Sequence, residues 1–148
     1  MVFLPLFLKL VGQPCLVVGG GAVAARRVAL LRKAGGRVVV VAPEVNSDLA
    51  ELAGRGDITH HARPFEAADL DNMKLVIAAT NAVEINAEVS RIAQERSILV
   101  NVVDNPDLCS FVVPSILDRS PVLVAVTTGG ASPVLARQLR TRMETMIP

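Results

Sequence analysis

An apolar run, Cys15-Leu16-Val17-Val18, breaks directly into Gly19-Gly20-Gly21-Ala22-Val23-Ala24. The segment reads G-x-G-x-x-A at the junction of a short strand and a helix. That is where a parallel sheet receives the pyrophosphate of a dinucleotide. Gly19 allows the tight turn. Gly21 has no Cβ, so a phosphate can approach its backbone. Ala24 is small enough for the helix to pack on the strand. The new helix offers free N–H groups and the positive end of its dipole to the anion. A plain strand–turn–helix junction carries the same glycines, so the rest of the chain has to decide.

The rest alternates. Leu6–Leu10 reads as an edge strand, and Gln13-Pro14 turns the chain into Cys15–Val18. The helix after the glycines runs to about Ala34, with Ala24, Val28 and Leu31 at i, i+4, i+7 and Gly35-Gly36 as its stop. Val38-Val39-Val40-Val41 has the β-branched continuity of a strand buried on both faces. A short helix over Leu49–Ala53 and a third strand over Ile58–Ala62 follow. Leu75–Ala79 is a fourth strand. Asn81 and Glu84 form a capping-box-like start to a helix carrying Ile85, Val89 and Ile92 on one face. Ile98-Leu99-Val100 is a fifth strand. This pattern predicts an α/β fold, a Rossmann-type doubly wound parallel sheet. The pattern then changes. Phe111-Val112-Val113 and Val122–Val126 flank the turn-rich Asp118-Arg119-Ser120-Pro121, which predicts a β-hairpin. Ser132-Pro133 opens a last helix with Leu135, Leu139 and Met143 as its apolar stripe.

Composition narrows the function. The 148 residues are 51% hydrophobic with a net charge of +1, so nothing draws the chain in bulk toward nucleic acid or membrane. Trp and Tyr are absent, which argues against binding single strands by stacking. Cys15 and Cys109 each lie in apolar surroundings and read as buried, reduced thiols. His60-His61 falls in a strand, where neighbours point to opposite faces, so no metal site is expected. The apolar start, Met1–Leu8, lacks a leading basic region and is interrupted by Pro5, unlike a signal peptide. A cytoplasmic location is expected.

Three places carry candidate chemistry. Glu44, in the loop after the second strand, is positioned to hold an adenosine ribose, and no Arg follows it to receive a 2′-phosphate. This favours NAD over NADP, although an exposed loop carboxylate reads the same. Asp104, in Asn101-Val102-Val103-Asp104-Asn105-Pro106, lies past the fifth strand, where the ligand crevice of such a sheet opens. A carboxylate there can act as a general base, and an Asp held by turn N–H groups fits the same pattern. Thr127-Thr128-Gly129-Gly130-Ala131-Ser132-Pro133 is a second glycine loop feeding a helix, with Arg137 and Arg140 beyond it. It reads as a second anion site or as an ordinary capped helix. Arg26 and Arg27, early in the first helix, oppose its dipole unless an anion is bound nearby.

These residues match a known family in order along nearly the whole chain. The segments are Leu4-Pro5-Leu6-Phe7, Val17 through Arg27, Ala78-Ala79-Thr80, Asn101 through Pro106, Phe111 through Ile116, Asp118 through Pro121, and Gly129 through Arg137. The chain resembles the N-terminal module of siroheme synthases, the precorrin-2 dehydrogenase / sirohydrochlorin ferrochelatase. The resemblance implies NAD-dependent oxidation of precorrin-2 to sirohydrochlorin, followed in many members by insertion of ferrous iron as a substrate. It implies a catalytic role for Asp104. It implies cofactor contacts at Gly19, Gly21, Ala22, Val23, Pro43, Glu44 and Thr80, and tetrapyrrole contacts at Ser115, Arg119, Thr128, Gly129 and Arg137.

The resemblance also implies residues 1–110 as the NAD-binding domain and 111–148 as the incomplete start of a dimerisation and substrate region, with a homodimer in the full-length form. Two departures stand out. The family's Ser-Ser-Gly-Gly is Thr127-Thr128-Gly129-Gly130 here, and the chain stops inside a helix. A truncated dimerisation region is therefore expected. An NAD-binding regulatory module without tetrapyrrole chemistry is the alternative reading.

Overall fold

The computed structural model describes residues 1–148. The chain forms two compact units, Phe7–Phe111 and a second made of Met1–Leu6 with Val112–Pro148.

The first unit is a five-stranded parallel sheet in the order β3-β2-β1-β4-β5. The strands are β1 (Pro14–Val18), β2 (Arg37–Val41), β3 (Thr59–His61), β4 (Leu75–Ala78) and β5 (Leu99–Val102). Helix α1 (Ala22–Lys33) joins β1 to β2, α2 (Ser47–Gly54) joins β2 to β3, and α3 (Val83–Glu95) joins β4 to β5. A 3₁₀ turn at Ala67–Leu70 stands between β3 and β4. Strand alternation sorts the core into two layers. Cys15, Val17, Val38, Val40, Leu75 and Ile77 pack with Ala24, Val28 and Leu31 of α1. Leu16, Val18, Val76, Ala78, Val100 and Val102 pack with Val89, Ile92 and Ala93 of α3. The α1 stripe is the one its spacing predicts. Both faces are covered, which is why the strands read as unbroken apolar runs.

The chain runs outward from β1 to β3, then returns to β4 beside β1 and ends at β5. The reversal lies between β1 and β4, and their carboxyl ends are where such sheets bind ligands.

Three local expectations fail in this unit. Leu6–Leu10 is not a strand. Leu10 alone of these side chains is buried, and its carbonyl accepts from Gln13 in a turn. Asn81 does not cap α3, whose N-cap is Ala82 without a side-chain bond. Phe111-Val112-Val113 is not the first hairpin strand, because the preceding segment is already in use. It covers the open edge of β5: Ser110 Oγ accepts the Val100 amide at 2.9 Å, Cys109 Sγ accepts that of Val102 at 3.1 Å, and Asn101 Nδ2 donates to Phe111 O at 3.0 Å. Three side chains thus replace a sixth strand and protect the edge.

The second unit holds the antiparallel hairpin β6 (Ser115–Arg119) and β7 (Val122–Val126), with Ser115 opposite Val126 and Arg119 opposite Val122. Pro114, which has no N–H to pair, stands just before β6. Helix α4 (Pro133–Glu144) begins as expected: the Ser132 side chain accepts the Leu135 amide at 3.1 Å, with Pro133 in the first turn. Of the expected stripe, Leu139 and Met143 are half-buried and Leu135 is not. Ala136 is the buried residue, Leu135 is 45% exposed, and Arg140 Nε donates to Ile116 O at 2.7 Å. A two-stranded ribbon is narrow, and a small residue lets the helix approach it.

Candidate functional site

Four of the loops at the carboxyl ends of the parallel strands carry the residues singled out in the first unit. At β1, Gly19 donates to Val41 O at 3.1 Å, and its φ of +135° is open only to glycine. A Cβ at Gly19 would also collide with the carbonyl of Ala79, at the end of β4. A Cβ at Gly20 would collide with the carbonyl of Glu44. Gly20 O in turn accepts the Asn46 amide at 2.8 Å. The glycine turn is therefore wedged between two neighbouring loops. Sequence reasoning assigned nothing to Gly20; a glycine at that variable position was its only signal.

Gly21 differs. Nothing lies within 4 Å of where its Cβ would be. It is the N-cap of α1, with no side-chain cap, and the helix has no acidic residue in its first turn. The first N–H groups of a helix have no partner within it. Open space beside a bare backbone at a positive helix end fits a pyrophosphate. Ala22 and Val23 open the helix there, and Pro43 and Glu44 are exposed in the loop after β2.

Thr80 follows β4, as expected, but its hydroxyl is committed within the protein. It donates to Asn86 Oδ1 at 2.7 Å and accepts from the Ala82 amide at 3.1 Å.

Asp104 follows β5. It is exposed and left-handed, with φ +61°, a conformation that strains a residue with a Cβ. The Asn105 amide returns to Val102 O at 3.2 Å, closing the turn beneath it. The turn-held reading expected backbone N–H groups bonded to its carboxylate. No such bond forms. Its charged neighbour is Arg27 of α1. Burial pulls the half-buried Arg27 guanidinium down from its usual range, Arg26 adds to this, and Asp104 opposes it. Arg27, one of the two cations early in α1, thus has an anionic neighbour in Asp104.

The second unit contains the remaining expected residues. Ser115 starts β6 beside the end of β7, next to the Thr127–Gly130 loop. Arg119 ends β6 at the far tip, about 13 Å away at 3.3 Å per strand residue. The hairpin therefore does not bring Arg119 to Ser115. In the loop, Thr128 Oγ1 accepts the Ser132 amide at 2.8 Å, and Thr127 Oγ1 accepts the Gly129 amide at 3.0 Å. Phe3 packs its ring against Gly129. Arg137 is exposed on α4, whereas Arg140 is spent on Ile116 and an ion pair with Glu144 at 2.6 Å. No group of three or more His, Cys, Asp or Glu is placed to hold a metal ion, and no helix is long and apolar enough to cross a membrane.

A family model described as putative NAD(P)-binding matches residues 6–115, and one described as sirohaem biosynthesis protein central matches residues 119–146. The chain is 61% identical over 145 residues to a siroheme synthase of Methylobacillus flagellatus, covering 98% of this chain and 31% of that protein. It is 57% identical over 148 residues to a siroheme synthase of Methylococcus capsulatus, covering 100% of this chain and 31% of that protein. The chain thus spans about a third of the length of these relatives. Among solved structures, SirC, precorrin-2 dehydrogenase, superposes with a TM-score of 0.84 at 26% identity, over 99% of this chain and 72% of that one. D-lactate dehydrogenase from Escherichia coli, at 11% identity and a TM-score of 0.50, shares the fold alone over 64% of this chain. The chain belongs to the putative NAD(P)-binding family and is similar along its whole length to siroheme synthases.

Proposed function

We propose that this chain is the NAD-binding module that oxidises precorrin-2 to sirohydrochlorin on the way to siroheme. The observation that carries the reading is Asp104, an exposed carboxylate on a strained turn at the carboxyl end of a parallel strand, in a sheet whose glycine turn leaves room for a pyrophosphate. Gly21, Ala22 and Val23 receive the pyrophosphate at the start of α1. Glu44 takes the adenosine ribose, and the loop after β4 forms the neighbouring wall. Bound NAD supplies a hydride acceptor. The chain supplies the base: Asp104 removes the proton that must leave the tetrapyrrole with each hydride. Arg27 of α1 is the cation that Asp104 feels. The exposed cations Arg119 and Arg137 suit the carboxylates on the substrate's rim.

Insertion of ferrous iron into sirohydrochlorin belongs to the same proposal, because it also needs protons taken from ring nitrogens. So does a homodimer of the whole protein. The test uses the full-length protein with precorrin-2 and NAD, following NADH formation. Asp104→Ala is expected to lose activity by at least about a hundredfold, the usual worth of a general base. Normal turnover in that variant removes Asp104 from the mechanism. NADH binding without any tetrapyrrole binding would favour the regulatory-module reading instead. Iron uptake by sirohydrochlorin separates a bifunctional enzyme from a dehydrogenase alone.

A further inference from the structure

Strand β4 ends at Ala78, one residue short of the groups that flank the glycine turn. The Ala79 amide still reaches Val18 O at 2.8 Å, and the Ala79 carbonyl lies against Gly19. Thr80 comes next, off the sheet ladder, so its N–H and C=O both need partners elsewhere. A single side chain provides them. Asn86 Oδ1 accepts from Thr80 N at 3.3 Å, and Asn86 Nδ2 donates to Thr80 O at 3.1 Å. The amide pairs with Thr80 as a neighbouring strand would. The same Oδ1 also accepts the Thr80 hydroxyl at 2.7 Å.

This arrangement is unusual for the start of a helix. The hydroxyl or amide expected near an N-cap normally satisfies the helix's own N–H groups. Here the N-cap, Ala82, offers no side chain, and Asn86 reaches out of the first turn of α3 to hold the strand end. Only asparagine meets the requirement. Aspartate lacks the donor for Thr80 O, serine has too few groups, and glutamine is longer by a methylene.

We infer that Asn86 is a positioning residue for the dinucleotide: its amide fixes the Ala79–Thr80 peptide against Gly19 and so sets the β4 wall of the cofactor crevice. The inference rests on the cofactor reading above. Asn86 acts through Thr80 and need not touch the ligand. Its loss would let the β4 loop drift from the turn that receives the pyrophosphate.

The test is a fluorescence titration of the 148-residue chain with NADH, alongside thermal unfolding without ligand. Asn86→Ala is expected to raise the NADH Kd about tenfold, the scale of leaving such polar groups unpaired. Thr80→Ala, which loses the hydroxyl bond to Asn86 Oδ1, is measured as the second single variant of the cycle. The Asn86→Ala/Thr80→Ala double variant should bind no more weakly than Asn86→Ala alone, because the two residues act as one unit. A Kd for folded Asn86→Ala within about twofold of the parent overturns the inference, even if its Tm falls, and so does full additivity in the double variant. Should Asn86→Ala fail to fold, the near-isosteric Asn86→Asp decides. It keeps the acceptor bonds and loses only the donor, and a Kd unchanged from the parent overturns the inference. If the parent chain itself does not bind NADH, the cofactor reading fails and this inference fails with it.

Discussion

The sulfur of Cys109 accepts the amide proton of Val102 at 3.1 Å and lies 3.3 Å from the carbonyl oxygens of Val102 and Asn105. One side chain thus brackets the turn that presents Asp104. Burial pushes the thiol up from its usual value, against the pull of the Val102 N–H, so it stays protonated and able to donate. Cys109→Val removes both functions and should cost about 1–3 kcal/mol. In a chain of this size that is a Tm drop of roughly 3–10 °C. Cys109→Ser, which keeps a donor and an acceptor, should lose about 1 kcal/mol or less. Thermal unfolding followed by circular dichroism checks both, and a Cys109→Val chain that melts with the parent would show the sulfur bonds to be dispensable.

Gly19 and Gly21 should respond oppositely to the same methyl group. At Gly19 the φ of +135° and the Ala79 carbonyl both reject a Cβ, and Gly19→Ala should cost about 3 kcal/mol or more. At Gly21 the space is open, so Gly21→Ala should fold with a loss of about 1 kcal/mol at most, from a poorer N-cap. Its methyl group would occupy the place proposed for the pyrophosphate, and NADH binding should weaken at least about tenfold. Unaltered NADH binding by Gly21→Ala would place the phosphates elsewhere.

Asp104 trades stability for its position. Its φ of +61° is better tolerated by asparagine, so Asp104→Asn should melt at or above the parent temperature, by up to about 1 kcal/mol. The same change should abolish precorrin-2 oxidation in the full-length protein. A marked loss of stability would mean that the carboxylate is structural.

Asp69 links stability to pH. Burial alone would raise its carboxyl. Two hydrogen bonds from Arg63 at 2.9 and 2.5 Å, the Glu66 amide at 2.8 Å, and the charges of Arg63 and His61 outweigh burial and hold it below the usual carboxylate range. A group depressed by folding stabilises fully above its unfolded value, about 4, and stops doing so as pH falls through its lower folded value. The Tm difference between the parent and Asp69→Asn should therefore hold between about pH 8 and 5 and shrink below about pH 4. A difference that persists unchanged in acid would contradict this account.

Periodicity carried most of the first unit. Cys15 and Val17 face one layer and Leu16 and Val18 the other, and Ala24, Val28 and Leu31 line one side of α1, as their spacing requires. Side-chain bonds to distant backbone left no such trace. Phe111–Val113 has the composition of a strand, yet Asn101, Cys109 and Ser110 tie the residues before β6 to the edge of β5. Thr80 shows a hydroxyl in the sequence and nothing of Asn86, which engages it. The strain at Asp104 is likewise invisible, because any residue can be written after a strand and only the fold decides its φ.

The contact between Gly20 and the Glu44 carbonyl constrains the chain's history as well as its shape. It fixes the backbone at position 44 and leaves the side chain there exposed to solvent. Under the ribose-holding role proposed for Glu44, a lineage can exchange that acidic group for a basic one, and with it the preferred nucleotide, in a single substitution that leaves the glycine turn intact. Inserting or deleting a residue in the same loop would instead break the turn and the fold together. On that proposal, cofactor preference is open to point mutation and closed to changes of length.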